Sequence, residues 1–284
     1  MASFAEVSIG FKAVFQKTFN ETKSEAEVLA TRIFSTDLSE KYVWLGNFPA
    51  MKEWVGDKAV KQLKDYGYQI ANKSYESTVS VPNKHIELDK IGLYKPMIEQ
   101  NSQEAKRFSS DLIASLLIAG EANDCYDGKK YFASNHIIGE GSTAVTYKNV
   151  DIGVLDSTKL LAKKAEMMGI KSAEGKSLRV NPNLLVCGAL NLANATKAIK
   201  GQTLSGGESN PTYEMFELLV LPEIADESWY LFDTTKIIKP FILQIVEDGK
   251  FTSSNDRAFM RDEAMFSVEA FKSAGYGLWQ LLIR

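Results

Sequence analysis

Cysteine and histidine are both scarce: Cys125 and Cys187, His85 and His136 are the only ones among 284 residues. Two cysteines cannot build a disulfide framework, so the composition points to a reducing compartment. Long hydrophobic runs are missing as well. Apolar stretches such as Leu116-Leu117-Ile118-Ala119 fall far short of the roughly 20 residues a membrane-spanning helix needs. The opening Met1-Ala2-Ser3-Phe4-Ala5-Glu6 has neither the basic start nor the apolar core of a secretory signal. A soluble intracellular chain without a membrane partner is therefore expected. Excess positive charge is absent too. The 33 basic and 36 acidic side chains leave a net charge of −3, and no basic domain marks a freestanding nucleic-acid reader. Seven prolines, 19 glycines and 45% hydrophobic residues exclude a collagen-like or disordered chain.

Catalytic motifs are equally thin. Neither a GxSxG elbow nor a complete phosphate-binding loop occurs, and Gly175-Lys176-Ser177 has Ile170 where that loop needs its first glycine. Gly139-Glu140-Gly141-Ser142-Thr143-Ala144 fits a loose dinucleotide pattern. It leads into the strand-like Val145-Thr146-Tyr147, whereas a pyrophosphate loop must open a helix. The histidines and cysteines form no close pair with zinc-site spacing, so neither a metal nor a cofactor is expected. Cys125 and His136 meeting across a loop is an alternative to a turn cysteine beside a structural histidine. Asp127 and His136 stand open as an acid–base pair, but no residue is nominated as their nucleophile. His85, beside Lys84 and Glu87, reads as part of a solvated strand.

What the chain does contain is pattern. Phe11, Phe15 and Phe19 recur every four residues beside Val7 and Val14, with Lys12, Gln16 and Lys17 opposite; this predicts an amphipathic helix reaching to about Phe34. Its apolar stripe must be covered, either by its own core or by a neighbouring subunit. Tyr42-Val43-Trp44-Leu45 reads as a short strand, and Met51–Asp57 as a turn and short helix. Tyr68 to Val81 is a long polar strand-like run whose exposed edge invites pairing with another chain. Phe108, Leu112, Leu116 and Ala119 outline a long helix from about Ile98 to Gly120. Beyond residue 151, a capped helix beginning at Ser157 and a second helix over Leu190–Ile199 alternate with strands at Asn183–Cys187, Phe216–Val220 and Trp229–Phe232. Gly201 to Asn210 reads as a loop. Phe241 to Val246 precedes Asp248-Gly249, a hairpin signal, and Phe266, Val268 and Ala270 alternate beyond it. The order is not the regular βαβα of a doubly wound sheet, so the fold class is α+β.

Tyr42-Val43-Trp44-Leu45-Gly46 through Pro49 to Glu53-Trp54-Val55-Gly56, followed by Tyr68-Gln69-Ile70-Ala71-Asn72-Lys73-Ser74-Tyr75-Glu76, resembles the signature of Mu-like phage major head subunits. The closing Gly275-Tyr276-Gly277-Leu278-Trp279-Gln280 agrees. The resemblance implies the Hong Kong 97-type capsid fold. It places an N-terminal arm at 1–35, an extended hairpin loop with peripheral-domain strands at 36–97 and a spine helix at 98–122. A connector at 123–150, an axial domain at 151–240 and return strands at 241–284 follow. It further implies a non-enzymatic subunit that self-assembles into hexamers and pentamers of an icosahedral shell, in the host cytoplasm first and then in the virion. Packaged double-stranded DNA would be contained by non-specific contact, with a separate scaffolding protein and maturation protease as partners. Phe4, Phe11, Phe15, Trp54, Tyr68 and Tyr75 are the candidate subunit-interface residues. An encapsulin-like nanocompartment shell, or a soluble α+β enzyme using Asp127 and His136, are the rival readings.

Overall fold

Ser3 starts the first helix with a reciprocal cap. Its hydroxyl accepts from the Glu6 amide at 3.3 Å while the Glu6 carboxylate accepts from the Ser3 amide at 2.7 Å. In the computed structural model, which describes residues 3–46, 66–88, 90–151, 153–204, 206–256 and 261–284, this helix is α1 (Phe4–Glu21). It ends well before Phe34. The β-branched and aromatic Ala30–Phe34 segment forms strand β1 instead, parallel to a later strand, because such residues favour the pleated sheet. The short β2 (Ser39–Lys41) and β3 (Gln69–Ala71) pair antiparallel, and β4 (Lys73–Pro82) follows after Asn72. Helix α2 (Asn83–Glu87) carries His85, whose Nδ1 lies 2.5 Å from the Tyr94 hydroxyl, so this residue is helical and not on a strand.

The expected long helix is α3 (Lys95–Ile118), closed by a 3-10 turn through Gly120. Strands β5 (His136–Ile138) and β6 (Val145–Tyr147) form a small ribbon. The glycine-rich stretch between them makes a single 3-10 turn (Gly141–Thr143) and then enters β6, not an α-helix, which removes the dinucleotide pattern. Helix α4 (Ser157–Met168), β7 (Leu184–Cys187), α5 (Leu192–Lys200), β8 (Glu217–Val220) and β9 (Trp229–Phe232) come next. The chain finishes with β10 (Phe241–Ser254), β11 (Glu263–Tyr276) and β12 (Leu282–Ile283).

Two four-stranded sheets result, in the orders β1-β10-β11-β4 and β12-β9-β7-β8. On the first, Val81, Ala264, Phe266 and Val268 alternate toward one face, where Val7, Phe11 and Phe15 of α1 and Ile98 of α3 cover them. The second core is continuous between the sheets. It joins Ile113, Ala114 and Leu117 of α3 to Phe241–Leu243 of the first sheet and to β7 and β9 of the second.

Three further expectations change. Tyr42–Leu45 is a turn, closed by Gly46 at φ 73°. Its apolar residues plug the core: Leu45 is buried, and the Tyr42 hydroxyl donates to Gln244 Oε1 at 2.6 Å. Asp248-Gly249 does not turn the chain either. It is a bulge within β10, where the register against β11 shifts twice. Gly249, at φ 134°, lies under the Phe19 ring, and a Cβ there would stand 2.8 Å from Phe19 Cε2. Finally, residues 241–284 divide between the sheets, because β12 pairs with β9. The Met51–Asp57 segment lies outside the described residues.

Candidate functional site

Of the six sequence-derived interface residues, Phe11 and Phe15 are buried and Phe4, Tyr68 and Tyr75 are half-buried. Phe11 and Phe15 are each 2% exposed; Phe11 meets the Phe266 ring edge-on at 4.9 Å and Phe15 lies 5.6 Å from Phe251. In this chain they complete its own core. Phe4, half-buried, lies 6.0 Å from the same Phe266 ring. The half-buried Tyr68 accepts the Tyr276 amide on its hydroxyl at 2.7 Å. Tyr75 packs edge-on against Phe108 of α3 at 4.5 Å. Trp54 lies outside the described residues.

The exposed apolar surface lies elsewhere. Phe34 is 76% exposed, Leu38 77% and Ile237 93%. Phe34 ends β1, an edge strand paired to β10 alone. The Thr31 hydroxyl joins this edge to the Ile237–Lys239 loop, accepting from the Lys239 amide at 2.8 Å, and Lys239 Nζ donates to the Val28 carbonyl at 2.8 Å. Exposed edge strands and clustered exposed apolar side chains are, in general, the features that pair with other chains. Periodicity missed it because Phe34 and Leu38 belong to no helical stripe. Their one signal was isolation, as large apolar residues among Ser35, Thr36, Asp37 and Ser39.

Two charged clusters brace the fold. Beneath α3, the side chain of Lys272 is fully buried; its ammonium donates to Ser109 Oγ at 2.9 Å and to Asp248 Oδ1 at 3.0 Å. Asp248 also holds Arg32 at 2.9 Å and faces Lys106 at 3.7 Å, with Glu27 beside both cations. Burial pushes the Lys272 ammonium below its ordinary value, and Asp248 opposes that shift. In the second cluster, hydrogen bonds from Lys163 and Lys159 hold the Asp151 carboxyl at about 2. A carboxylate depressed in the folded state stabilises above its unfolded value of 3.8 and loses that contribution as pH falls toward 2. Asp151→Asn is therefore expected to flatten the decline of melting temperature across that window, measured by circular dichroism against the unaltered chain. An unchanged acid limb counts against the pairing.

The pair left open by the sequence does form. His136 Nδ1 lies 2.6 Å from Asp127 Oδ2, and Cys125 Sγ donates to Asp127 Oδ1 at 2.9 Å. Burial, then the Asp127 charge, pushes the Cys125 thiol well above its ordinary range, so it is no activated thiolate nucleophile. Burial would raise Asp127 as well, but its hydrogen bonds from His136 and Cys125 outweigh that and hold its carboxyl low. The His136 ring is fully buried and stacked 4.0 Å from Trp279 at 11°. The shallow groove beside this loop is lined by Gly128, Lys129, Lys130 and Phe132, so the pair faces no substrate-holding cleft there.

A family model described as the Mu-like prophage major head subunit gpT matches residues 4–154, 150–224 and 222–284, which is nearly the whole chain. The chain belongs to that family. The major capsid protein of Escherichia phage Mu is 27% identical over 99% of this chain and 73% of that protein. The Mu-like prophage FluMu major head subunit of Haemophilus influenzae is 26% identical over 96% of this chain and 70% of its own length. Among solved structures, the procapsid of bacteriophage JBD30 aligns with TM-score 0.62 and 29% identity, covering 99% of this chain and 75% of that one. The virus-like particle of Pyrococcus furiosus shares the fold, at TM-score 0.52 and 10% identity. The α+β architecture of this gpT-family chain is thus the Hong Kong 97-type capsid fold. In such a subunit the edge of β1, not a cleft, is the natural place to seek function.

Proposed function

We propose that the chain is the major head subunit of a Mu-like phage or prophage, tiling as hexamers and pentamers into an icosahedral shell around double-stranded DNA. The observation carrying this reading is the family match along nearly the whole chain, joined to a fold alignment with a procapsid subunit that covers 99% of this chain and 75% of that subunit. In this reading α3 is the spine helix, the β1-β10-β11-β4 sheet the peripheral domain, and the β12-β9-β7-β8 sheet with α4 and α5 the axial domain. The subunit works by contact and not by turnover. Many modest contacts multiplied over a closed shell supply the stability. With a net charge of −3, the shell contains its genome through weak, sequence-independent contact. A scaffolding protein and a maturation protease act as separate partners, and the finished subunit resides in the virion.

Electron microscopy and sedimentation of the expressed chain, alone and with the scaffolding protein of its own phage, test this. Closed shells are the expected result, and a discrete small oligomer under both conditions would refute it. Within the same experiment, Phe34→Asp with Ile237→Asp is expected to block assembly at least tenfold while leaving the subunit's melting temperature within about 2 °C, because surface changes rarely cost more than about 0.5 kcal/mol. Normal shells from that variant would remove the β1 edge from the interface.

A further inference from the structure

Cys125, Asp127 and His136 bring a thiol, a carboxylate and an imidazole nitrogen within 4.8 Å of one another inside the protein. The loop geometry that does so is local. The Cys125 amide donates to the Lys129 carbonyl at 2.8 Å and the Gly128 amide to the Cys125 carbonyl at 3.0 Å, folding the loop back so that residues 125 and 127 share one side. Gly128 takes φ 73°, which a side chain would resist. The Lys129 amide then donates to Asp127 Oδ1 at 3.1 Å and orients the carboxylate.

His136 is fixed from three directions. Its β5 backbone pairs with Tyr147, its ring stacks on Trp279, and its Nε2 faces the Tyr131 carbonyl at 3.3 Å. The 2.6 Å contact between Nδ1 and Asp127 Oδ2 holds one proton between an imidazole nitrogen and a carboxylate oxygen. A metal ion taking that proton's place would meet a nitrogen and an oxygen donor that already converge, with Nε2 still facing the Tyr131 carbonyl as an outer partner of the ring.

We propose that Cys125 Sγ, an Asp127 carboxylate oxygen and His136 Nδ1 bind a zinc-class divalent cation. The donor set is one soft sulfur, one imidazole and one carboxylate, which are zinc's ordinary ligands. The charges close as well: a thiolate and a carboxylate balance a dication, so a nearly buried site carries no net charge. Ligands about 2.0–2.3 Å from such an ion stand roughly 3–4 Å apart, so the present pairs need open by only about 1 Å. On binding, the thiol proton and the proton between Nδ1 and Oδ2 leave to solvent, so affinity falls as pH falls. The ion would tie the 125–129 loop to β5, behind Tyr131, which stacks on Tyr276 at 4.3 Å at the end of β11. It would therefore stiffen the junction between the two sheets without adding an activity.

Cobalt(II) titration of the full chain under a non-chelating reductant tests the site. The expected result is one ion per chain with a thiolate-to-cobalt charge-transfer band. That band should persist in Cys187→Ala and vanish in Cys125→Ser, which keeps a hydroxyl donor to Asp127. Asp127→Asn and His136→Asn should each weaken binding at least tenfold. Absence of the band in the unaltered chain, or its survival in Cys125→Ser, would overturn the proposal. Should Cys125→Ser fail to fold, the Cys187→Ala spectrum decides alone, because Cys125 is then the one thiol left. Shell formation is scored separately, so failure of this site does not touch the capsid reading.

Discussion

Replacing Phe15 by Ala is expected to lower the stability of the isolated subunit by about 3–5 kcal/mol, the usual cost of emptying a buried aromatic site. The ring is 2% exposed, stacks on Phe19 at 5.5 Å and meets Phe251. The backbone beside it is engaged too, since the Phe15 carbonyl accepts from the buried Ser102 hydroxyl of α3 at 2.8 Å. Two readings of α1 separate here. An arm that docks on a neighbour would leave the subunit's denaturation midpoint unchanged and impair assembly alone. A helix that covers Phe266 and Val268 of its own sheet loses that cover when truncated. Deleting residues 1–20 should therefore cost folding first, with assembly failing as a consequence. Urea denaturation of the unassembled Phe15→Ala chain measures this, and a midpoint equal to that of the parent would return α1 to the role of a docking arm.

The second large effect belongs to Asp248. Its carboxylate is the common partner of Lys272, Arg32 and Lys106. Removing one member of a buried pair leaves the other charged and desolvated, at a cost of about 3 kcal/mol or more. Asp248→Ala is thus expected to be severely destabilising. The buried Lys272 would carry most of the loss, since Arg32 reaches solvent. Lys272→Met should cost less, because an apolar side chain of similar length suits the space beneath α3. The double variant should recover much of the Asp248→Ala loss. Equal and additive penalties in that cycle would show that the pair is not coupled. The pH behaviour has a definite sign. With Lys272 depressed in the folded state, the unfolded chain binds more protons between the folded and unfolded values. Stability from this group therefore rises as alkaline pH passes through that window.

The Asp248-Gly249 pair illustrates how local and tertiary information diverge. Read locally, Asp-Gly between alternating apolar residues is a two-residue hairpin turn. In the fold, β10 continues through it to Ser254, and Gly249 accommodates the Phe19 ring while Asp248 turns toward Lys272. Nothing within ten residues of Gly249 announces an aromatic ring from residue 19 or an ammonium from residue 272. The Cys125–Asp127–His136 cluster was half legible for the converse reason. All three lie within one short segment, so their meeting could be entertained from spacing, but the order of contact, with Asp127 between the other two, required the turn at Gly128 and the stack on Trp279.

The amino-acid sequence alone determined that an apolar-striped helix opens the chain, though not where it ends, together with the position of α3, the apolar strands of the second sheet, the α+β class and the resemblance to Mu-like head subunits. These are statements about which residues share a face, and helical and strand periods carry that information without reference to distant parts of the chain. Tertiary structure decided what covers each face. It seated the Phe11 and Phe15 stripe on this chain's own sheet, made a turn of Tyr42–Leu45, and left Phe34 and Ile237 facing outward. A stripe of apolar side chains gains nearly the same free energy from any apolar cover, since hydrophobic burial has no direction. The choice among covers rests with contacts hundreds of residues apart in the chain.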